Sequence, residues 1–284
     1  MIRRRQVGWC VAWAYALVGA RRRALRRCAT PGCVLPIAAH GPRPDEFRHF
    51  LAALRDFGFR FVSTEDVRSG RATDGRCAWI SFDDGFAALK GLLPVLEEFE
   101  APATVFVAPG ESQRGYVWTD GFWNGLLDED FRAWYGLSAD ERYARVDAAW
   151  RRADRSRFLP LLRPEDIAAL SRHPLVTIGN HTWSHMSATH RPAAETLSEI
   201  DRAQKTLADW TGCEPTAFAY PFGRGTAELD AEIRNRGLLP FRLRPGLATA
   251  ETFGSARNLF LEGMTLAENL GRVLQAWPKV GETR

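Results

Sequence analysis

Ile80-Ser81-Phe82-Asp83-Asp84-Gly85-Phe86 is the stretch on which the fold turns. It closes an apolar run over 77–82 that is partly β-branched or aromatic and is bounded by Gly75 and Gly85. Such a run reads as a buried strand whose carboxyl end delivers two acids into a loop. Neighbouring like charges resist joint ionisation unless a cation sits between them or one keeps its proton. A metal ligand beside a base is one reason to build such a pair. Asp-Asp-Gly taken alone favours the plainer reading, a solvated turn. The decision lies a hundred residues downstream.

Outward from this stretch the chain alternates. Residues 33–39 read as a first strand ending at His40-Gly41-Pro42. Asp45 is the expected cap of a helix with Phe47, Phe50, Leu51, Leu54 and Phe57 on its apolar face, stopped by Gly58. A short strand at 59–62 follows, then a one-turn helix opened by Ser63 or Thr64. After the aspartates come a helix over 87–99 and a strand over 103–108. Strand and helix at this spacing predict parallel βα units, an α/β fold in which chemistry collects at the carboxyl ends of the strands. His40, Asp83 and Asp84 all stand at such ends.

The rhythm breaks across an insertion of about 110–163. It holds Tyr116, Trp118, Phe122, Trp123, Trp134, Tyr135, Tyr143 and Trp150 among many charges. It reads as helical, and its aromatics either form a small core of their own or stack on sugar rings. Regular units resume with a helix at 164–172, a strand at 175–178, a helix at 192–210, a strand at 216–220 and a helix capped by Thr226. Segments 241–244 and 258–261 and a closing helix near 266–277 complete a single domain over 33–284.

The 284 residues, 45% hydrophobic and 25% charged, suit one large α/β domain. All but three of the 38 basic residues are arginines, and much of the +4 net charge lies in Arg3–Arg5, Arg21–Arg23, Arg26 and Arg27. The body is not basic, which argues against a nucleic-acid partner. Five scattered cysteines without a CxxC pair argue against a disulfide framework and for a reducing compartment. Segment 1–32 is basic and amphipathic. Its apolar part, 7–20, is short for a membrane span, and arginines follow it where a signal peptide would place a cleavage site. Trp9, Trp13 and Tyr15 suit peripheral contact of residues 1–27 with an anionic membrane. A helix docked on the domain, or an uncleaved export signal, are the alternatives. The expected location is cytoplasmic, at the inner membrane surface, with export left open.

His181-Thr182-Trp183-Ser184-His185 follows a predicted strand and carries two imidazoles at i and i+4, which on a helical turn would face one ion. Two histidines and a strand-end carboxylate form a common catalytic metal set with an open position for water.

At these residues the chain resembles the polysaccharide deacetylases, the NodB-homology domain of carbohydrate esterase family 4. Ser81-Phe82-Asp83-Asp84-Gly85 is similar to the first motif of that family, and His181-Thr182-Trp183-Ser184-His185 to the second. Phe218-Ala219-Tyr220-Pro221-Phe222-Gly223 is similar to the third, in its Pro-Tyr/Phe-Gly form. The resemblance spans roughly 34–274. It implies a distorted (β/α)₇ barrel that removes N-acetyl groups from amino sugars. It further implies Asp84, His181 and His185 as metal ligands, Asp83 as general base and the Phe222 amide as oxyanion donor. The implied cofactor is one divalent ion, zinc first, with cobalt, nickel or manganese as alternatives. The implied partner is an N-acetylated carbohydrate, a glycan or its biosynthetic precursor. Tyr220, Pro221, Trp118 and Trp123 are the candidate substrate contacts.

Two family features are missing. The third motif has Ala219 where many members carry an arginine that orients the base. Arg257, in Arg257-Asn258-Leu259-Phe260-Leu261, is the expected substitute and Arg224 the second candidate. The late histidine that serves many members as general acid is also absent, since no histidine follows His190. His40 matches the opening histidine of the poly-β-1,6-N-acetylglucosamine deacetylase branch and is the candidate acid; its other reading is a hydrogen-bonded rim residue. The competing functions are a de-O-acetylase or other amide hydrolase on the same site, and a carbohydrate-binding barrel that has lost turnover.

Overall fold

The computed structural model describes residues 19, 22–71, 75–123, 125, 127, 129–151 and 158–275. Eight strands form one parallel sheet: β1 (Val34–Ala39), β2 (Phe59–Val62), β3 (Arg76–Phe82), β4 (Ala103–Val107), β5 (Val176–Asn180), β6 (Ala217–Ala219), β7 (Leu239–Phe241) and β8 (Asn258–Leu259). Seven lie on a path β7-β6-β5-β4-β3-β1-β8, and β2 branches off β3. The sheet curls into a distorted barrel. Its open seam between β7 and β8 is crossed by hydrogen bonds from Arg242 N–H to the Gly254 carbonyl and from Arg257 N–H to the Arg244 carbonyl.

β3 runs through the middle. All of it beyond Arg76 is buried, as expected of a parallel strand covered on both faces. Its pleat separates two cores. Cys77 and Trp79 point into the barrel with Val34, Phe106, Ala219 and Phe241, where Trp79 stacks on Phe241 at 4.5 Å. Ala78, Ile80 and Phe82 point outward onto helices through Phe47, Phe50, Leu51 and Leu92. The period of two therefore aims Ser81 and Asp83 inward. Losing a core ring such as Trp79 would cost about 3–5 kcal/mol.

Register brings the strand ends level. Ala39 pairs with Phe82, and Phe82 with Val105. Val107 pairs with Asn180. The next residues out are His40, Asp83 and His181. The ladder continues one step further, with Asp83 N–H donating to the Ala39 carbonyl and His181 N–H to that of Val107.

Some local expectations are corrected. Asp45 does not cap its helix. The helix spans Pro44–Asp56 behind an extended Arg43, with Pro44 at its first position and Asp45 and Glu46 in its first turn. Proline supplies the helical φ and the acids complement the dipole without a side-chain cap. The helix after the aspartates begins at Leu89, because the turn from Asp84 uses the intervening residues. Ser63 and Thr226 both cap as their sequence suggests.

The insertion has its own core of Tyr116, Trp118, Trp134, Tyr135 and Val146. At the amino end, a helix over 22–28 lies on the barrel. Ala24 and Cys28 join the main core, and Arg76 Nε donates to the Leu25 carbonyl. The membrane-contact reading of 1–27 otherwise falls on residues outside those described. No described helix is long and apolar enough to cross a membrane.

Candidate active site

Asp84, His181 and His185 converge at the carboxyl end of the sheet, with their ligand atoms within 4.8 Å of one another and all three residues buried. Asp84 Oδ1 lies 3.3 Å from His181 Nε2 and 3.1 Å from His185 Nε2. At that range Asp84 Oδ1 is nevertheless buried without a hydrogen-bond partner. His181 Nδ1 is 2.8 Å from the Ala219 carbonyl oxygen. A carbonyl only accepts, so Nδ1 carries a proton, and in the neutral ring the Nε2 lone pair then faces the carboxylate. A carboxylate oxygen and two imidazole nitrogens, all buried and converging on one point, fit a cation between them, and this donor set fits a catalytic divalent ion.

The electrostatics agree. Burial works to raise the Asp84 carboxyl, but the imidazoles of His185 and His181 outweigh it and hold the group well below the usual carboxylate range. Burial lowers His185 in spite of Asp84. Asp84 is thus favoured as the anion and His185 is pushed toward its neutral form, the forms that ligate.

Asp83 is kept apart from this set. Its Oδ1 accepts from Arg257 Nη1 at 2.6 Å, and Arg257 is 1% exposed. The same Nη1 reaches Ser81 Oγ at 3.3 Å, Arg257 Nε donates to the Arg242 carbonyl, and the guanidinium lies over Phe106. Burial pushes the Asp83 carboxyl up, but Arg257, with help from His181, more than offsets it and keeps Asp83 ionised. Arg224, the second candidate for this role, is exposed.

His40 sits at the rim, its Nε2 4.0 Å from Asp84 Oδ2. The backbone N–H groups of His40 and Gly41 both donate to Glu262 Oε1. That carboxylate ties the end of β1 to the loop after β8.

The histidine pair does not lie on a helical turn. Residues 181–185 form a loop in which Thr182 and His185 have φ of 60° and 48°. Asp84 and Phe222 are also left-handed, at 69° and 60°. Four of the six non-glycine residues with positive φ among the described residues thus belong to the three motifs. Each such residue costs about 1–3 kcal/mol and persists only where its surroundings enforce it.

Buried polar groups supply the enforcement. Ser184 N–H and Oγ donate to Glu199 Oε2, and Arg142 Nη2 donates to the Ser184 carbonyl and Oγ. Trp118 Nε1 donates to the His185 carbonyl at 3.0 Å. Trp118 is itself held by Glu111, whose Oε2 accepts its N–H while Oε1 accepts from Tyr143. Burial pushes the Glu111 carboxyl up to about 8. At Gly110, whose N–H donates to the Trp183 carbonyl, a Cβ would come within 2.7 Å of Trp183.

The four expected substrate contacts separate. Trp118 is fully buried and serves the His185 carbonyl. Tyr220 is also fully buried, with its hydroxyl donating to Asp230, so neither offers a face to a ligand. Pro221 is buried. Trp123 is 67% exposed. Phe222 sets its ring 4.9 Å from that of His185. Sequence reasoning missed Arg142, Glu111, Glu199 and Glu262, because isolated charges carry no periodic or motif signal. It also missed Asp120, whose carboxyl is pushed up to about 7, first by burial and then by Asp84.

Residues 70–240 match the polysaccharide deacetylase family model, and the chain belongs to that family. It is a carbohydrate deacetylase whose substrate class is acetylated carbohydrate. Similar solved structures carry the same fold. The Streptococcus pyogenes deacetylase PplD, in complex with acetate, is 18% identical with a TM-score of 0.60, over 86% of this chain and 99% of that one. IcaB from Ammonifex degensii is 21% identical with a TM-score of 0.59, over 87% and 97%. A de-N-acetylase from Aggregatibacter actinomycetemcomitans is 16% identical with a TM-score of 0.55, over 84% and 99%. His40 and Arg257 both lie outside the family match, on the β1 and β8 side of the sheet.

Proposed function

We propose that the protein is a metal-dependent de-N-acetylase of amino-sugar residues in a glycan or glycan precursor. The observation that carries the reading is the buried Asp84 Oδ1, left without a donor between two imidazole nitrogens. Asp84, His181 and His185 would hold the ion, zinc being the first candidate. A divalent cation there would supply Lewis-acid charge at the acetyl carbonyl and make a neighbouring water more acidic.

The remaining work falls to the chain. Asp83, ionised and oriented by Arg257, accepts a proton from the water as its oxygen bonds to the acetyl carbon. The backbone N–H of Phe222 donates to the developing oxyanion. His40 protonates the sugar nitrogen as the C–N bond breaks, releasing acetate and a free amine. An amine is a poor leaving group without that proton, so a histidine beside the site favours amide over ester cleavage.

The test is acetate release from N-acetylated oligosaccharides, read with metal content. Chelation should abolish release, and about one equivalent of zinc per chain should restore it. Full activity of chelated protein that contains no detectable metal would overturn the reading.

A further inference from the structure

From His185 a row of rings runs outward across the insertion. Phe222 lies 4.9 Å from His185, Phe131 6.3 Å from Phe222, and Trp123 5.0 Å from Phe131. Tyr135 supports the row at 4.7 Å from Phe222. Burial falls along it: Tyr135 is buried, Phe222 and Phe131 are half-buried, and Trp123 is 67% exposed. The other large aromatics of the insertion core are shielded, so the exposed indole stands out as the end of a track that begins beside the metal set.

Two cations flank the track. Arg132 and Arg224 are both exposed. The Arg132 guanidinium is 5.7 Å from the Phe131 centroid. Arg224 stands two residues beyond Phe222 in the chain, and both guanidinium charges oppose the rise that burial gives the Tyr135 hydroxyl. Neither guanidinium has a carboxylate partner among the described residues. The nearby Asp130 accepts the Arg132 backbone N–H as a helix cap. Because Arg257 serves Asp83, Arg224, which follows the third motif, is left to this rim.

We propose that this rim is a second sugar subsite. A residue neighbouring the one that loses its acetyl group stacks on Phe131 and Trp123 and presents an anionic substituent, carboxylate or phosphate, to Arg132 and Arg224. The substrate is then an acidic N-acetylated glycan, and the inference rests on the deacetylase reading above. Rings stack on aromatic faces whatever their charge. Guanidinium forks supply the selection, because their geometry matches carboxylate and phosphate.

The test compares three probes on the intact, metal-loaded chain: a neutral N-acetylglucosamine tetrasaccharide, a tetrasaccharide alternating N-acetylglucosamine with glucuronate, and the neutral tetrasaccharide carrying a phosphate. KM should be about tenfold lower for at least one acidic probe, equivalent to about 1.4 kcal/mol. The gap should shrink with added salt. The better acidic probe identifies the anion. Arg132→Gln with Arg224→Gln should erase the gap, and Trp123→Ala should raise KM for the tetrasaccharides rather than lower kcat. Equal KM for neutral and acidic probes, or an unmoved KM in Trp123→Ala, would overturn the subsite. If no probe releases acetate, the deacetylase reading fails by itself. Calorimetric binding of the same tetrasaccharides to wild-type and Trp123→Ala protein would still decide the subsite.

Discussion

The two halves of the site are held by different means. Asp83 and Asp84 follow directly from β3, and sheet register sets their position against His40 and His181. His181 and His185 lie on a loop with two left-handed residues. That loop is held by side chains from other elements: Arg142, Trp118 and, behind it, Glu111 from the insertion, and Glu199 from the helix Ala193–Thr211. A strand end is fixed by many backbone hydrogen bonds at once. A loop of this shape depends on a few buried polar contacts, each exacting a penalty if its partner is lost. The acids should therefore fail chemically when changed, and the histidine loop should fail by losing its shape.

The sharpest separation comes from Asp83→Asn. Turnover should fall about 100- to 10,000-fold, while zinc affinity, measured by competition with a chelator, stays near wild-type. Retention of near-normal turnover would remove Asp83 as the base. Next in size is Arg257→Gln, which leaves a buried carboxylate without its cation. Such a loss costs about 3–5 kcal/mol, read as a lower urea midpoint, together with a lower kcat. An unchanged midpoint would mean that Asp83 finds another partner.

Arg142→Ala tests the opposite half. Groups that orient metal ligands typically contribute about 10- to 100-fold in affinity. Zinc affinity should drop by that order, and the visible spectrum of the cobalt-substituted protein should change. An unaltered spectrum with unaltered affinity would show that the loop holds its shape without Arg142.

The smallest effect concerns pH. The Glu111 carboxyl is raised from 4.5 to about 8 by burial, so the folded state keeps a proton that the unfolded chain releases. Its contribution to stability is full below about pH 4.5 and is lost as pH rises through about 8. Glu111→Gln can still accept from Trp118 N–H and pair with Tyr143, so it should flatten the fall in Tm across that window. A slope identical to wild-type would exclude Glu111 as its source.

Much of this was legible in the chain. The apolar run before Asp83-Asp84-Gly85 marks a two-sided buried strand, because only such a strand is continuously hydrophobic. The alternation around it marks parallel βα units. The motif order brings Asp84, His181 and His185 to one place, and the missing arginine of the third motif points to Arg257. Local chemistry was less reliable. Asp45 was expected to cap a helix that Pro44 already starts, and the histidines were expected on a helical turn that the backbone does not form. Tyr220 and Trp118 were expected at the ligand but are enclosed, because an aromatic side chain reads alike in a core and in a cleft.

Sequence alone determined the family, the parallel fold and the acid and imidazole groups, since periodicity and short motifs are local properties. Tertiary structure decided how those groups are used. Only the register of β1, β3 and β5 makes His40, Asp83 and His181 neighbours, and only the arrival of β8 beside β1 sets Arg257 against Asp83. Likewise, only packing of the insertion encloses Trp118 and leaves Trp123 open to solvent. Burial and long-range contact fix a side chain's partner and charge state, and neither is encoded within a short stretch of chain.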